Sequence, residues 1–206
     1  MHDEYTTIKS PTTTEIKVIG SRFLATAHPI LTKQDAEQFL AKIRKEFWDA
    51  THHCYAYRLG TDGIQFRFND DGEPGGSAGR PILGAIDKCG LTDVLVVVTR
   101  YFGGTKLGVG GLVRAYSEAS ELVLSRSEKL VKHVTETLVA TFPHSHISNV
   151  MHVVSRVGAK IVDITYDEEV HATLDVRISR CEELRSALVN QTNGNILLKQ
   201  PTDTGE

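Results

Sequence analysis

The spacing of apolar and polar positions changes several times along this chain, and each spacing names an element. The start is polar and threonine-rich through Thr14 and reads as a frayed end. Thr14 to Val18 and Ser21 to Ala27 read as two strands around Gly20. Thr32 opens a helix, with Asp35 three residues on favouring its positive end. Ala36, Phe39, Leu40, Ile43 and Phe47 recur at helical spacing, so one face of that helix packs inward. Cys54 to Leu59 and Ile64 to Phe68 alternate and flank Gly60-Thr61-Asp62-Gly63, a hairpin signal. Pro81 sits where a helix begins and Ile82 to Lys88 continues it. The run Val94-Leu95-Val96-Val97-Val98 suits a strand covered on both faces. A helix from about Leu112 to Ser127 follows.

Near Ser127 to Val134 glycine disappears and the pattern becomes regular, which predicts two domains, 1–130 and 131–206. In the second, Glu136 to Phe142, Ala159 to Tyr166, Val170 to Ile178 and Asn195 to Lys199 read as strands. Ile147, Val150, Met151, Val154 and Val157 mark one helix, and Cys181, Leu184 and Leu188 another. The resulting order βαββαβ is that of a ferredoxin-like sandwich, so the fold class is α+β.

Charge narrows the partners. The 206 residues carry a formal net charge of −3, with 16 basic and 16 acidic side chains before Val131 and 7 and 10 after it. Contact with nucleic acid would need a local patch, not bulk attraction. Cys54, Cys89 and Cys181 are scattered and form no C-x-x-C, so neither a disulfide framework nor a zinc ribbon is implied. No apolar run approaches membrane-spanning length, and a reduced, cytoplasmic setting is expected.

The chemistry concentrates in two glycine-rich stretches, Asn69 to Gly79 and Arg100 to Tyr116, which hold nine of the 17 glycines. The second links a buried strand to a helix and carries Gly103, Gly104, Gly108, Gly110 and Gly111. Arg80, Arg100, Lys106 and Arg114 border the two stretches. Free backbone N–H groups at a helix start, with cations beside them, make an anion-binding surface. The alternative is that the glycines only let a helix pack closely on the sheet. A phosphate-cradling P-loop is excluded, because Val109 stands where its lysine belongs. Tyr101, Phe102 and Tyr116 could stack bases if exposed, or lie in the core.

Asp70, Asp71 and Glu73 could hold a hard cation, but Asp-Gly and Glu-Pro-Gly are turn signals and the carboxylates can accept backbone N–H bonds. A structural turn without metal is the expectation. Gly75-Gly76-Ser77-Ala78-Gly79 matches the nucleophile-elbow pattern, yet Asp70 to Pro74 separates Ser77 from its strand. Ser77 is read as a helix cap. The pairs His52-His53 and His144-x-His146 each offer two ligands where zinc needs three or four. No cofactor is implied.

Ser21-Arg22-Phe23, Ala50 to Tyr57, Asn69 to Gly79 with Pro81-Ile82-Leu83, and Thr99 to Tyr116 closely resemble the YigZ/IMPACT family over about Ser21 to Leu124. Ser77 departs from the family's usual threonine. The resemblance implies a first domain with the fold shared by a small-subunit ribosomal protein and domain IV of elongation factor G, and a second domain like domain V of that factor. Eukaryotic relatives restrain an amino-acid-starvation kinase, partly through a domain this chain lacks. The carried-over expectation is a non-enzymatic, translation-associated regulator that contacts RNA or the ribosome, with no DNA specificity and no membrane. Two other readings use the same chain: an enzyme or sensor for a phosphorylated small molecule between the loops, and a protein-binding module.

Overall fold

A computed structural model describes residues 3–201. The chain forms two compact units, one of Glu4–Lys132 and one of Asp3 with residues 133–201.

In the first unit β1 (Glu4–Ile8), β2 (Thr12–Val18), β3 (Ser21–Pro29), α1 (Lys33–Glu46), β4 (His52–Leu59), β5 (Gln65–Asn69), α2 (Gly79–Lys88), β6 (Val94–Tyr101), α3 (Gly108–Arg126) and β7 (Lys129–His133) follow in order. The main sheet runs β2-β3-β6-β4-β5, with every neighbouring pair antiparallel. The apolar run of β6 splits by parity, because successive strand side chains point to opposite faces. Val94, Val96 and Val98 join Phe23, Cys54, Ile82, Ile86 and Tyr116 in the core under α2 and α3, while Leu95 and Val97 join Ile43, Tyr55 and Tyr57 under α1. Thr32 and Asp35 close a reciprocal capping box at the start of α1.

The start of the chain differs from the frayed end expected of it. β1 pairs with β7, and Thr7 and Ile8 are buried. Threonine reads as polar in the sequence, yet its branched Cβ suits a strand, and Thr7 satisfies its hydroxyl on the Asp93 carbonyl. α3 also begins four residues before Leu112, so Gly108, Gly110 and Gly111 form its first turn. Glycine's poor helix propensity hid this, since first-turn N–H groups need no partner inside the helix.

In the second unit β8 (Thr135–Phe142), α4 (Ile147–Val157), β9 (Lys160–Tyr166), β10 (Val170–Arg177), α5 (Cys181–Gln191) and β11 (Leu197–Lys199) give the order βαββαβ and an antiparallel sheet β11-β8-β10-β9. The alternation in β10 buries Val170, Ala172, Leu174 and Val176 against α4 and α5. Among the described residues no helix is long and apolar enough to cross a membrane.

Candidate anion-binding site

The first glycine-rich stretch leaves the end of β5 and folds back before α2. The Asp70 carboxylate holds it in shape, accepting the N–H groups of Gly76, Ala78 and Gly79 at 2.8–3.0 Å. Burial alone would raise this carboxyl, but those amide hydrogen bonds outweigh it and keep its pKa below the ordinary value. Asp70 therefore does the work expected of Ser77. The helix cap position is Ala78, and Ser77 Oγ is buried without a partner. Asp71 accepts the His53 N–H at 2.7 Å and pairs with Arg44. Each acidic side chain of the stretch is thus engaged by protein groups, and no three metal-ligating side chains converge among the described residues.

Glu73 turns inward. Its Oε1 accepts Arg100 Nη1 at 2.6 Å and the Tyr116 hydroxyl at 2.7 Å, with His52 Nε2 at 3.9 Å. The Arg100 and Glu73 side chains are only 6% and 3% exposed, so this is a buried ion pair joining the two stretches. Arg100 Nη2 lies 3.4 Å from Ser21 Oγ, and its Nε is buried without a hydrogen-bond partner. Cys54 lies beneath, its thiol 3.3 Å from the Tyr116 oxygen and 3.0 Å from the Asp70 carbonyl. Burial, with the carboxylates of Glu73, Asp71 and Asp70 behind it, pushes Cys54 up to about 12 and leaves it a neutral thiol near pH 7. Burial likewise raises Tyr116.

The expected site residues therefore separate. Arg100 is not a free surface cation, because Glu73 claims it. Tyr116 is core, edge-on to Phe23, and offers no face for stacking. Tyr101 donates its hydroxyl to Asp49 and carries the Arg22 guanidinium over its ring. Gly103 serves packing: a Cβ there would collide with the backbone of Gly20 and Ser21, and its N–H donates to Ser21 Oγ. Gly111 sits close over Leu107, while Gly104, Gly108 and Gly110 face open space. Arg80 is exposed near Phe68, and Arg114 lies in a separate groove with Lys88 and Glu121.

Arg100, Phe102, Lys106, Gly108, Val109 and Leu112 line a cavity of about 350 Å³, together with Glu73, Pro74 and Leu107. Leu107 caps α3 without a side-chain acceptor, and the first turn carries no acidic residue. The positive end of the helix is therefore unneutralised there. Lys106 is exposed and makes no ion pair among the described residues.

Trp48, the single tryptophan, escaped the sequence reading. It is 80% exposed in the turn after α1, and Phe102 is 46% exposed. The Thr51 hydroxyl accepts the Phe102 N–H, Thr51 N–H donates to the Arg100 carbonyl, and Tyr101 reaches Asp49. These bonds hold the Trp48 turn beside the second glycine-rich stretch. No sequence signal marks it, because a tryptophan following Phe47 at the end of an amphipathic helix reads as core.

This loop-bearing end belongs to a region with known counterparts: residues 19–124 match the Impact N-terminal domain. The chain belongs to the IMPACT family. Residues 141–195 of this IMPACT protein match a domain of unknown function, DUF1949. It is 32% identical to the IMPACT family member YvyE of Bacillus subtilis over 97% of this chain and 92% of that one. Protein IMPACT of Bos taurus is 36% identical over 43% of this chain and 29% of its own length. A crystal structure of a hypothetical protein superposes with a TM-score of 0.73 at 27% identity, covering 97% of this chain and 98% of the other.

Proposed function

We propose that this IMPACT protein acts in translation by binding single-stranded RNA or ribosomal RNA through the loop-bearing end of its first unit. The observation that carries the reading is the exposure of Trp48 and Phe102 at the second glycine-rich stretch, with Phe102 sharing a cavity with Lys106 and the uncapped start of α3. Exposed aromatic faces stack on unpaired bases, and cations with backbone N–H groups position phosphates. The proposed likeness of the two units to domains IV and V of elongation factor G fits this role.

Burial of Arg100 and the placement of Arg114 in a separate groove leave Arg80 and Lys106 as the free cations at the loops. If each meets one phosphate, counterion release gives a slope of about −1.4 in log affinity against log salt. Raising salt from about 50 to about 200 mM then weakens binding about 7-fold. Trp48→Ala should weaken binding to every sequence alike by about ten-fold, within the range for one base–aromatic stack. Fluorescence anisotropy with a labelled oligoribonucleotide measures both. A slope near zero, or wild-type affinity in Trp48→Ala, refutes the assignment.

A further inference from the structure

The cavity between the loops gathers Arg100, Lys106 and the start of α3 around one small volume, an arrangement more specific than a face that tracks a phosphate chain. Arg100 is one wall. Its guanidinium is nine-tenths buried, with Nη1 on Glu73 and Nε without a partner. A buried N–H without an acceptor is costly and uncommon; Nε is closed to solvent beneath the half-exposed Phe102, so a ligand oxygen supplies the missing partner once that ring shifts. Lys106 and the first turn of α3, starting at Gly108, provide a second wall with unspent positive charge. The rest is apolar: Pro74, Phe102, Leu107, Val109 and Leu112.

Glu73 decides the kind of ligand. Its charge cancels that of Arg100, which leaves Lys106 and the helix end as the net attraction, enough for one compact anion. A carboxylate in the wall also disfavours a purely anionic ligand and suits one that brings a donor with its anion. A nucleotide has an aromatic plane, hydroxyl or amino donors and a phosphate in that compass. The volume of about 350 Å³ lies at the low end of small-molecule sites and suits about one nucleotide, not a duplex. A terminal phosphomonoester carries about −1.5 to −2 charges near neutral pH, against about −1 for a bridging phosphate, so clustered donors favour the terminus.

We propose that this cavity is a receptor for one nucleotide bearing a terminal phosphomonoester. As the end of an RNA strand, it deepens the RNA-binding reading and rests on it; as a free nucleoside monophosphate, it does not. In either form the base lies against Phe102 and the aliphatic wall, the phosphate meets Lys106, the α3 amides and Arg100 Nε, and Glu73 accepts a ribose or base donor.

The test uses the full chain with AMP and with otherwise identical oligoribonucleotides of about ten residues carrying a 5′-phosphate, a 3′-phosphate or hydroxyls at both ends. One phosphorylated end should bind about ten-fold or more tightly than the hydroxyl form, as expected for one added charge-assisted contact, and AMP should compete for it. Lys106→Ala and Gly110→Glu should each erase that preference. Gly110 faces open space in the first turn of α3, where an acidic side chain favours the helix, so Gly110→Glu should melt no lower than wild type. Equal affinity for all three oligonucleotides with no AMP binding overturns the inference and leaves the RNA reading standing. AMP binding that Lys106→Ala abolishes, with no oligonucleotide bound, supports the receptor and sinks the RNA reading. Absence of binding by every probe overturns both.

Discussion

Glu73→Gln tests whether the buried ion pair organises the loops. At 2.6 Å and an effective dielectric constant of about 20, the gross attraction between Glu73 and Arg100 is about 6 kcal/mol. Glutamine loses that attraction while Arg100 stays buried, and its amide oxygen recovers a hydrogen bond worth about 1 kcal/mol. The first unit should therefore lose about 3–5 kcal/mol, the usual cost of orphaning one member of a buried pair. Glu73→Gln combined with Arg100→Met removes both charges and places an apolar stem beside Phe23 and Phe102, over which the guanidinium now lies. That double variant should fall within about 2 kcal/mol of wild type. Urea unfolding followed by near-ultraviolet circular dichroism reports the first unit, because Trp48 and every tyrosine except Tyr166 lie there. A loss below about 1 kcal/mol in Glu73→Gln, or a double variant as unstable as the two singles summed, would refute the argument.

Two further substitutions probe the scaffold of the site. Asp70→Ala strips the acceptor from the amides of Gly76, Ala78 and Gly79 and should cost about 2–4 kcal/mol in the same urea assay. Because the folded carboxyl titrates below its unfolded value of about 3.9, its contribution is complete above that pH and lost as pH falls through the folded value. Asp70→Asn should accordingly lose stability near neutral pH and show a shallower acid limb; an unchanged limb excludes this role. Gly103→Ala drives a methyl group into the Gly20–Ser21 backbone and should cost about 2–4 kcal/mol, seen as a lower Tm by calorimetry. A wild-type Tm would mean that the contact yields freely.

What could be read from the sequence was local. The β6 run split between two cores because strand parity is written in consecutive residues, and the Thr32–Asp35 box closed because its partners are three residues apart. What could not be read was pairing at a distance. Arg100 borders a glycine-rich segment and so looked like a phosphate ligand, yet its partner is a carboxylate 27 positions earlier that itself looked like part of a turn. Gly103 resembled its open neighbours, and only the Gly20 hairpin tip against it shows why a side chain is excluded. Trp48 follows Phe47 at the end of an amphipathic helix, where an apolar residue is ordinarily taken for core; its exposure belongs to the tertiary arrangement alone.

The pairing of β1 with β7 also bears on how the first unit is made. Glu4–Ile8 is synthesised long before Lys129–His133, and until that later segment emerges the nascent strand lacks its sheet partner. Ile8 belongs in the core with the main sheet, so a growing chain can dock this strand while the backbone groups on the edge that faces β7 stay unpaired. Fragments ending before Lys129 would contain all five strands of that sheet and still leave this edge open. Chaperone dependence and aggregation should be greatest for such fragments, and should ease once the chain extends past His133.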